Sequence, residues 1–284
     1  MAADPQDKAL LRVIGLSKRF GGLIATRDVN LSVPTRSVHA IIGPNGAGKT
    51  TVFNCITAFL PPSAGEIWLG DRRIDGLAPH VVAANGVSRT YQNVRLFPNM
   101  SAIENVLVGG HRQIHTPLWH VILSTPRFHA QERAARSRAA ELLDFVGISH
   151  RADTLARNMA YGDQRRLEIA RALATEPRLL MLDEPAAGMN PSEGMALAKL
   201  MDQIRRQLGV TIVLIEHHMR VVMAVADRVT VFERGAILTE GTPAEIQEDE
   251  RVIRAYLGSQ TKTPTARRSV EEDPARLGAE VMPS

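Results

Sequence analysis

The chain has 284 residues, 44% hydrophobic and 23% charged, with 34 Lys+Arg against 30 Asp+Glu and a formal net charge of +4. This balance excludes global disorder, and at about 150 residues per domain it suits one large domain or two modest ones. The single cysteine, Cys55, excludes an intrachain disulfide framework and a multi-thiolate metal site, and fits a reducing compartment.

The first residues, MAADPQDKAL, lack the basic and apolar segments of a secretion signal. No apolar run approaches the roughly 18 residues of a membrane span. The basic excess is concentrated in residues 72–138, which hold nine Arg and three acids (Asp75, Glu104, Glu132). Such a stretch invites a nucleic-acid reading. Only 4% of the chain is aromatic, too little to make this a base-stacking surface, so no nucleic-acid partner is expected. A solvated face, or attraction to an anionic membrane surface, accounts for it instead.

In chain order, residues 1–9 read as a flexible N-terminus. LRVI (11–14), VNLSV (29–33) and EIWLG (66–70) have the β-branched content and turn-forming neighbours of strands. VHAII (38–42), LLML (179–182) and TIVLI (211–215) are compact apolar runs, each followed at once by polar residues. That is the pattern of buried parallel strands with function at their carboxyl ends. Residues 96–160 lack strong strand signals and contain helical stretches such as 131–147, which predicts an inserted helical subdomain. Leu167, Ala170, Leu173 and Ala174 share one helical face, and Leu197, Leu200, Met201, Ile204 and Leu208 share another. VTVF-ERG-AIL (229–238) predicts a hairpin with Arg234-Gly235 in its turn. Residues 259–284 are short of large apolar side chains and read as a disordered tail.

GPNGAGKT (43–50) matches the phosphate-binding loop G-x-x-x-x-G-K-[ST] between a strand and a helix. Gly43, Pro44, Asn45, Gly46, Ala47 and Gly48 would wrap backbone N–H groups around phosphate, helped by the helix N-terminus. Lys49 would reach the β- and γ-phosphates, and the Thr50 hydroxyl would ligate Mg²⁺. In LLMLDEP (179–185), two carboxylates follow a strand. Asp183 would hold Mg²⁺ and Glu184 would polarise an attacking water. His217, after the third apolar run, would reach a γ-phosphate.

The order of these motifs resembles the nucleotide-binding subunits of ATP-binding-cassette (ABC) transporters over residues 10–258. The resemblance implies an α/β P-loop fold: a mostly parallel RecA-like core sheet, an antiparallel β subdomain, and a helical subdomain inserted at about 96–175. It implies ATP and Mg²⁺ as ligands and ATP hydrolysis coupled to transport. Phe20 would stack on adenine. Lys49, Thr50 and Thr51 would contact phosphate and metal, and Gln92 would contact Mg²⁺ or water and sense the membrane partner. Ala160, Gly162 and Asp163 occupy the signature segment 159–163, Asp183 and Glu184 the paired-acid motif, and His217 the switch position. AAGMN (186–190) lies where the family has its D-loop.

Ala160 stands where the family usually has Ser, Tyr161 where it has Gly, Asp163 where it has Gln, and Asn190 where it has Asp. AYGDQRRLEIARALA, EPAAGMNPSE, GTPAEIQ and RVIRAYLG resemble the LivG-type subunits of branched-chain amino-acid importers, although His218 departs from the IEHDM expected there. That likeness implies a second ATPase subunit, either a paralogue or a copy of this chain. It also implies two membrane permease subunits and, indirectly, an external substrate-binding protein, with the chain on the cytoplasmic face of the membrane. NVRLFPNMS (93–101) would meet the permease, with Phe97 and Met100 as its apolar contacts or as core residues. Importers of urea, amides or aromatic acids, and soluble non-transport ABC ATPases, are the alternatives. Four histidines, His111, His115, His120 and His129, are expected to be surface residues rather than a metal site.

Overall fold

A computed structural model describes residues 9–92, 94–111 and 126–260; the proposed N-terminal and C-terminal tails, His115 and His120 fall almost wholly outside them. Two sheets organise the chain. In the first, β1 (Ala9–Phe20), β2 (Leu23–Pro34), β4 (Ala64–Leu69) and β5 (Arg72–Arg73) run antiparallel in the order β2-β1-β4-β5. The second has the order β10-β9-β3-β8-β7-β6. Its strands are β3 (Val38–Ile42), β6 (Val87–Arg89), β7 (Leu179–Asp183), β8 (Thr211–Ile215), β9 (Arg228–Glu233) and β10 (Ala236–Gly241). All pairings in it are parallel except β9 with β10.

Every residue of β3, β7 and β8 is buried, because the core sheet is covered on both faces. Alternation divides their side chains. Leu180, Leu182, Ile212 and Leu214 enter a core shared with the helices. Leu179, Met181, Val213 and Ile215 enter a core shared with α1 (Lys49–Ile56) and the antiparallel sheet.

Between β6 and β7 the described residues form helices and no named strand. After α2 (Pro79–Ala84) and β6, the chain forms α3 (Ala102–Gly110), α4 (Pro126–Phe145) and α5 (Tyr161–Leu173). Leu167, Ala170, Leu173 and Ala174 are buried as the spacing predicts. α6 (Pro191–Leu208) starts at a capping box: Asn190 accepts from the N–H groups of Ser192 and Glu193, and Glu193 accepts from that of Asn190. It buries Leu197, Leu200, Met201 and Ile204. Leu208 instead lies at the helix end and is 37% exposed. The last helices among the described residues are α7 (Met219–Val225), α8 (Pro243–Glu248) and α9 (Glu250–Gln260). In the 234–235 turn, Arg234 and Gly235 both have positive φ, as a two-residue hairpin with right-twisted strands requires. Among the described residues no helix is long and apolar enough to cross a membrane.

One buried group makes the fold pH-sensitive. His39 on β3 is 1% exposed, and burial, with Arg228 nearby, lowers its pKa from 6.5 to about 4. Thr230 donates its hydroxyl to Glu240 (3.3 Å), so it accepts from His39 Nε2 at 2.7 Å, which puts a proton on Nε2; Nδ1 is buried with no acceptor for a second one, so the ring is neutral. The unfolded chain takes up this proton near pH 6.5, the folded chain only near 4. The contribution is complete above pH 6.5 and is lost as pH falls towards 4, by about 3 kcal/mol. Chemical denaturation from pH 7 to 4 is expected to show a shallower acid loss in His39→Gln than in wild type. Equal slopes would place the proton elsewhere.

Candidate active site

The site is built where β3, β8 and β7 end. Gly43 follows β3 with φ +146°, and a Cβ there would lie 2.2 Å from the Phe232 carbonyl oxygen of β9. Only glycine lets the loop pass so close to that strand. Gly46, at the loop tip, has φ +78° but open space around it. Lys49 opens α1, and its ammonium donates to the carbonyls of Gly43 (2.7 Å) and Pro44 (2.9 Å). Burial lowers its pKa, and the carboxylates of Glu184 and Asp183 oppose that shift.

Around this loop lies a cavity of about 600 Å³, lined by Asn45–Thr51, Gln92 and Glu184, and closed by Ala25, Arg234 and Gly235. The hairpin turn is fastened to the loop, since the Gly235 N–H donates to Ala47 O at 3.0 Å. A backbone-lined cavity at a helix N-terminus, carrying one ammonium, is suited to a phosphorylated ligand.

The two acids after β7 face different surroundings. Asp183 is 4% exposed, and its Oδ2 accepts from Arg89 Nη2 at 2.8 Å. Arg89 ends β6, lies over the Phe53 and Tyr91 rings, and also donates to Asn54 at 2.6 Å. Glu184 has φ +47°, a left-handed backbone that costs a non-glycine residue about 1 kcal/mol. Its N–H donates to Ile215 O of β8 at 2.9 Å, holding that turn in place. The turned carboxylate accepts from Gln92 Nε2 at 2.9 Å and lies 3.8 Å from His217 Nδ1. Gln92, Glu184 and His217, from three separate loops, thus converge.

Glu216 carries a role that motif reading does not reveal. It is 1% exposed and accepts from the backbone N–H groups of Ala186 (2.9 Å), His217 (2.7 Å) and His218 (2.9 Å). It also bonds His218 Nδ1 at 3.0 Å, tying the loop after β7 to the loop after β8. The available signal was a carboxylate at the end of a fully apolar strand. Arg89 likewise lacked a signal beyond its place three residues before Gln92.

Other expected site residues stand apart from the cavity. Phe20 does not line it; the ring is 45% exposed with the Lys18 ammonium 5.1 Å away, and Leu23, Ile24 and Ala25 line the cavity instead. Ala160 precedes α5, whose first turn holds Gly162 and Asp163, and none of the three lines the cavity. Asp163 lies 3.6 Å from Arg151. Phe97 and Met100 are 44% and 37% exposed, so they are not core residues. Among the described residues, Glu216, His217 and His218 bring possible metal-ligand atoms within 4.8 Å, but the Glu216 carboxylate is already engaged by backbone N–H groups.

Residues 26–187, more than half of the chain, match the ABC transporter family. The chain belongs to the ABC transporter family. Residues 236–261 match a second family, described as branched-chain amino acid ATP-binding cassette transporter. The chain is 50% identical over 249 residues to the high-affinity branched-chain amino acid transport ATP-binding protein LivG of Salmonella typhimurium, covering 88% of this chain and 98% of that one. It is 49% identical over 251 residues to BraF, a protein of the same description from Pseudomonas aeruginosa, with the same coverages. The lipopolysaccharide export system ATP-binding protein LptB of Escherichia coli is 32% identical over 250 residues, with 88% and 98% covered. A nucleotide-free ATP-binding cassette from an ABC transporter superposes with TM-score 0.76 at 29% identity, over 87% of this chain and 98% of that one. An ADP-conformation cassette gives TM-score 0.77 at 29% identity, over 88% and 99%. With half-identity to transport ATP-binding subunits over 98% of their length, the chain is an ATP-hydrolysing transporter subunit, which sets aside the soluble non-transport alternative.

The two loop glycines separate steric fit from conformational freedom. Gly43→Ala is expected to cost about 3 kcal/mol or more, because a Cβ meets a carbonyl that cannot give way. Gly46→Ala is expected to cost only about 1 kcal/mol of left-handed strain. Denaturant midpoints measure both, and equal losses would contradict the close approach at Gly43.

Proposed function

We propose that this chain energises import of branched-chain amino acids, together with two membrane permease subunits and a second ATPase subunit. The observation that carries this reading is a contrast. Identity is 50% and 49% to two branched-chain import subunits, but 32% to an export subunit, over nearly the same span. The separate match at residues 236–261 supports it.

In the proposed mechanism, the loop 43–48 and Lys49 bind the ATP phosphates, with Thr50 and Thr51 at the start of α1. We assign Phe20 to the adenine, on the ground that it pairs with Leu23, one of the β2 residues that line the cavity. The hydroxyl of Thr50, the carboxylate of Asp183 and the amide carbonyl of Gln92 are hard oxygen donors, a set that fits Mg²⁺. Gln92 donates to Glu184 through Nε2, which leaves its carbonyl oxygen for such a role. Mg²⁺, when bound, would neutralise charge developing on the transferred phosphoryl group. Glu184 takes the proton of the attacking water. Gln92 fixes one oxygen of that carboxylate, and His217 holds the γ-phosphate side.

The signature residues Ala160, Gly162 and Asp163 stand away from their own cavity, and we assign them to ATP held by the partner ATPase. Closure of the two subunits around ATP then excludes water, and hydrolysis reopens them. The helices α3–α5 form the arm that passes this motion on. Exposed Phe97 and Met100 are the proposed apolar contacts with the permease, which would hold the chain at the cytoplasmic membrane face.

Reconstitution with the permease subunits and binding protein in proteoliposomes tests the reading. ATP-dependent leucine uptake is expected, with Lys49→Ala weakening fluorescent ATP-analogue binding at least about tenfold. Uptake of urea or aromatic acids without leucine would move the assignment to those substrates.

A further inference from the structure

The signature segment contains a tyrosine, Tyr161, where the resembled family usually has glycine, and its contacts reach both neighbouring loops. The Tyr161 hydroxyl accepts from Arg165 Nε at 3.0 Å and Nη2 at 2.8 Å. Arg165 is 2% exposed and among the largest fully buried side chains. Its Nη1 donates to the Tyr91 carbonyl (2.7 Å) and to Glu168 Oε2 (3.1 Å), and its Nη2 also donates to the Gln92 carbonyl. The other Glu168 oxygen accepts from the N–H groups of Tyr91 (3.3 Å) and Arg95 (3.5 Å). One guanidinium–carboxylate pair on α5 thereby grips the backbone at Tyr91, Gln92 and Arg95.

A buried ion pair of this kind is held in place by its hydrogen bonds, and removing one partner leaves an uncompensated charge. Arg165 therefore cannot shift without carrying its acceptors. One is the Tyr161 hydroxyl; another is the main chain of Gln92, whose side chain donates to Glu184 at 2.9 Å. On its other side the Tyr161 ring faces the loop after β7. A Cβ built on Gly188 (φ +77°) would lie 3.3 Å from Tyr161 Cε1. Tyr161 thus bonds the guanidinium that holds the Gln92 loop and lies beside the loop that follows Glu184.

We infer that Tyr161 is a positioning residue that couples the signature end of α5, through Arg165, to Gln92 and Glu184 of its own subunit. The inference rests on the proposed engagement of this segment by the partner's ATP. Occupancy of one site then sets the geometry of the other, through a path of packed side chains and hydrogen bonds. With glycine at 161 neither the ring nor the hydroxyl acceptor exists.

A double-mutant cycle on the assembled transporter tests it, with ATP hydrolysis as the readout. Tyr161→Phe keeps the ring beside Gly188 and removes only the acceptor. It is expected to lower kcat about tenfold, with KM and fluorescent ATP-analogue affinity within about twofold of wild type. On a Gln92→Ala background the same change is expected to lower kcat by less than about twofold, because the group it acts through is already gone. Equal fold-losses on both backgrounds, or no loss in wild type, would overturn the coupling. A wild-type complex that hydrolysed ATP with no second ATPase subunit would overturn the underlying two-subunit reading, and the inference with it.

Discussion

The structure depends on the alignment of three parallel strands. Ile41 of β3 and Asp183 of β7 both pair with Ile215 of β8, so the three strands end at one level. The phosphate-type loop, the paired acids and the histidine pair all leave the sheet from that level. Two backbone bonds then lock the exits together: Glu184 N–H to Ile215 O at 2.9 Å, and Glu216 N–H to Ile41 O at 3.4 Å. A slip of one residue in either pairing would turn every side chain of that strand to the opposite core, so burial on both faces enforces the level.

Charge placement follows from that geometry. Among the described residues, the arginines of 72–138 do not form one basic face. Arg89 is buried against Asp183, Arg73 is held by Asp75 and Glu66, and Arg95 lies 4.6 Å from the Tyr91 ring centroid. Arg138 pairs with Glu141 and Arg136 lies near Asp153. Several of these arginines are partners within the fold, and those around the Gln92 loop order it. Glu168 shows the cost of such placement. Burial raises its pKa, and the Arg165 guanidinium and the N–H groups of Tyr91 and Arg95 pull it back.

Much of this was legible in the sequence, for identifiable reasons. VHAII and TIVLI match β3 and β8 residue for residue, because buried parallel strands are continuous apolar runs with polar ends. LLML was one residue short, since Asp183 is still in the strand although it is an acid. β6 was missed because three residues, VSR, are too few to show a period. Motif spacing identified the residues at the three loop ends, yet not the bonds between them. Nothing in a linear spacing brings Arg89 to Asp183, Arg165 to Gln92, or Glu216 to Ala186; those pairs span 94, 73 and 30 positions and meet only through the strand order.

The central claim is that the turned, Gln92-bound carboxylate of Glu184 is the group that removes the water's proton. The most direct measurement is steady-state phosphate release by Glu184→Gln, alongside fluorescent ATP-analogue binding. The amide keeps the shape and loses the base, so binding is expected within about threefold of wild type while turnover falls at least about 100-fold. Turnover near the wild-type rate with binding intact would contradict the role assigned to Glu184.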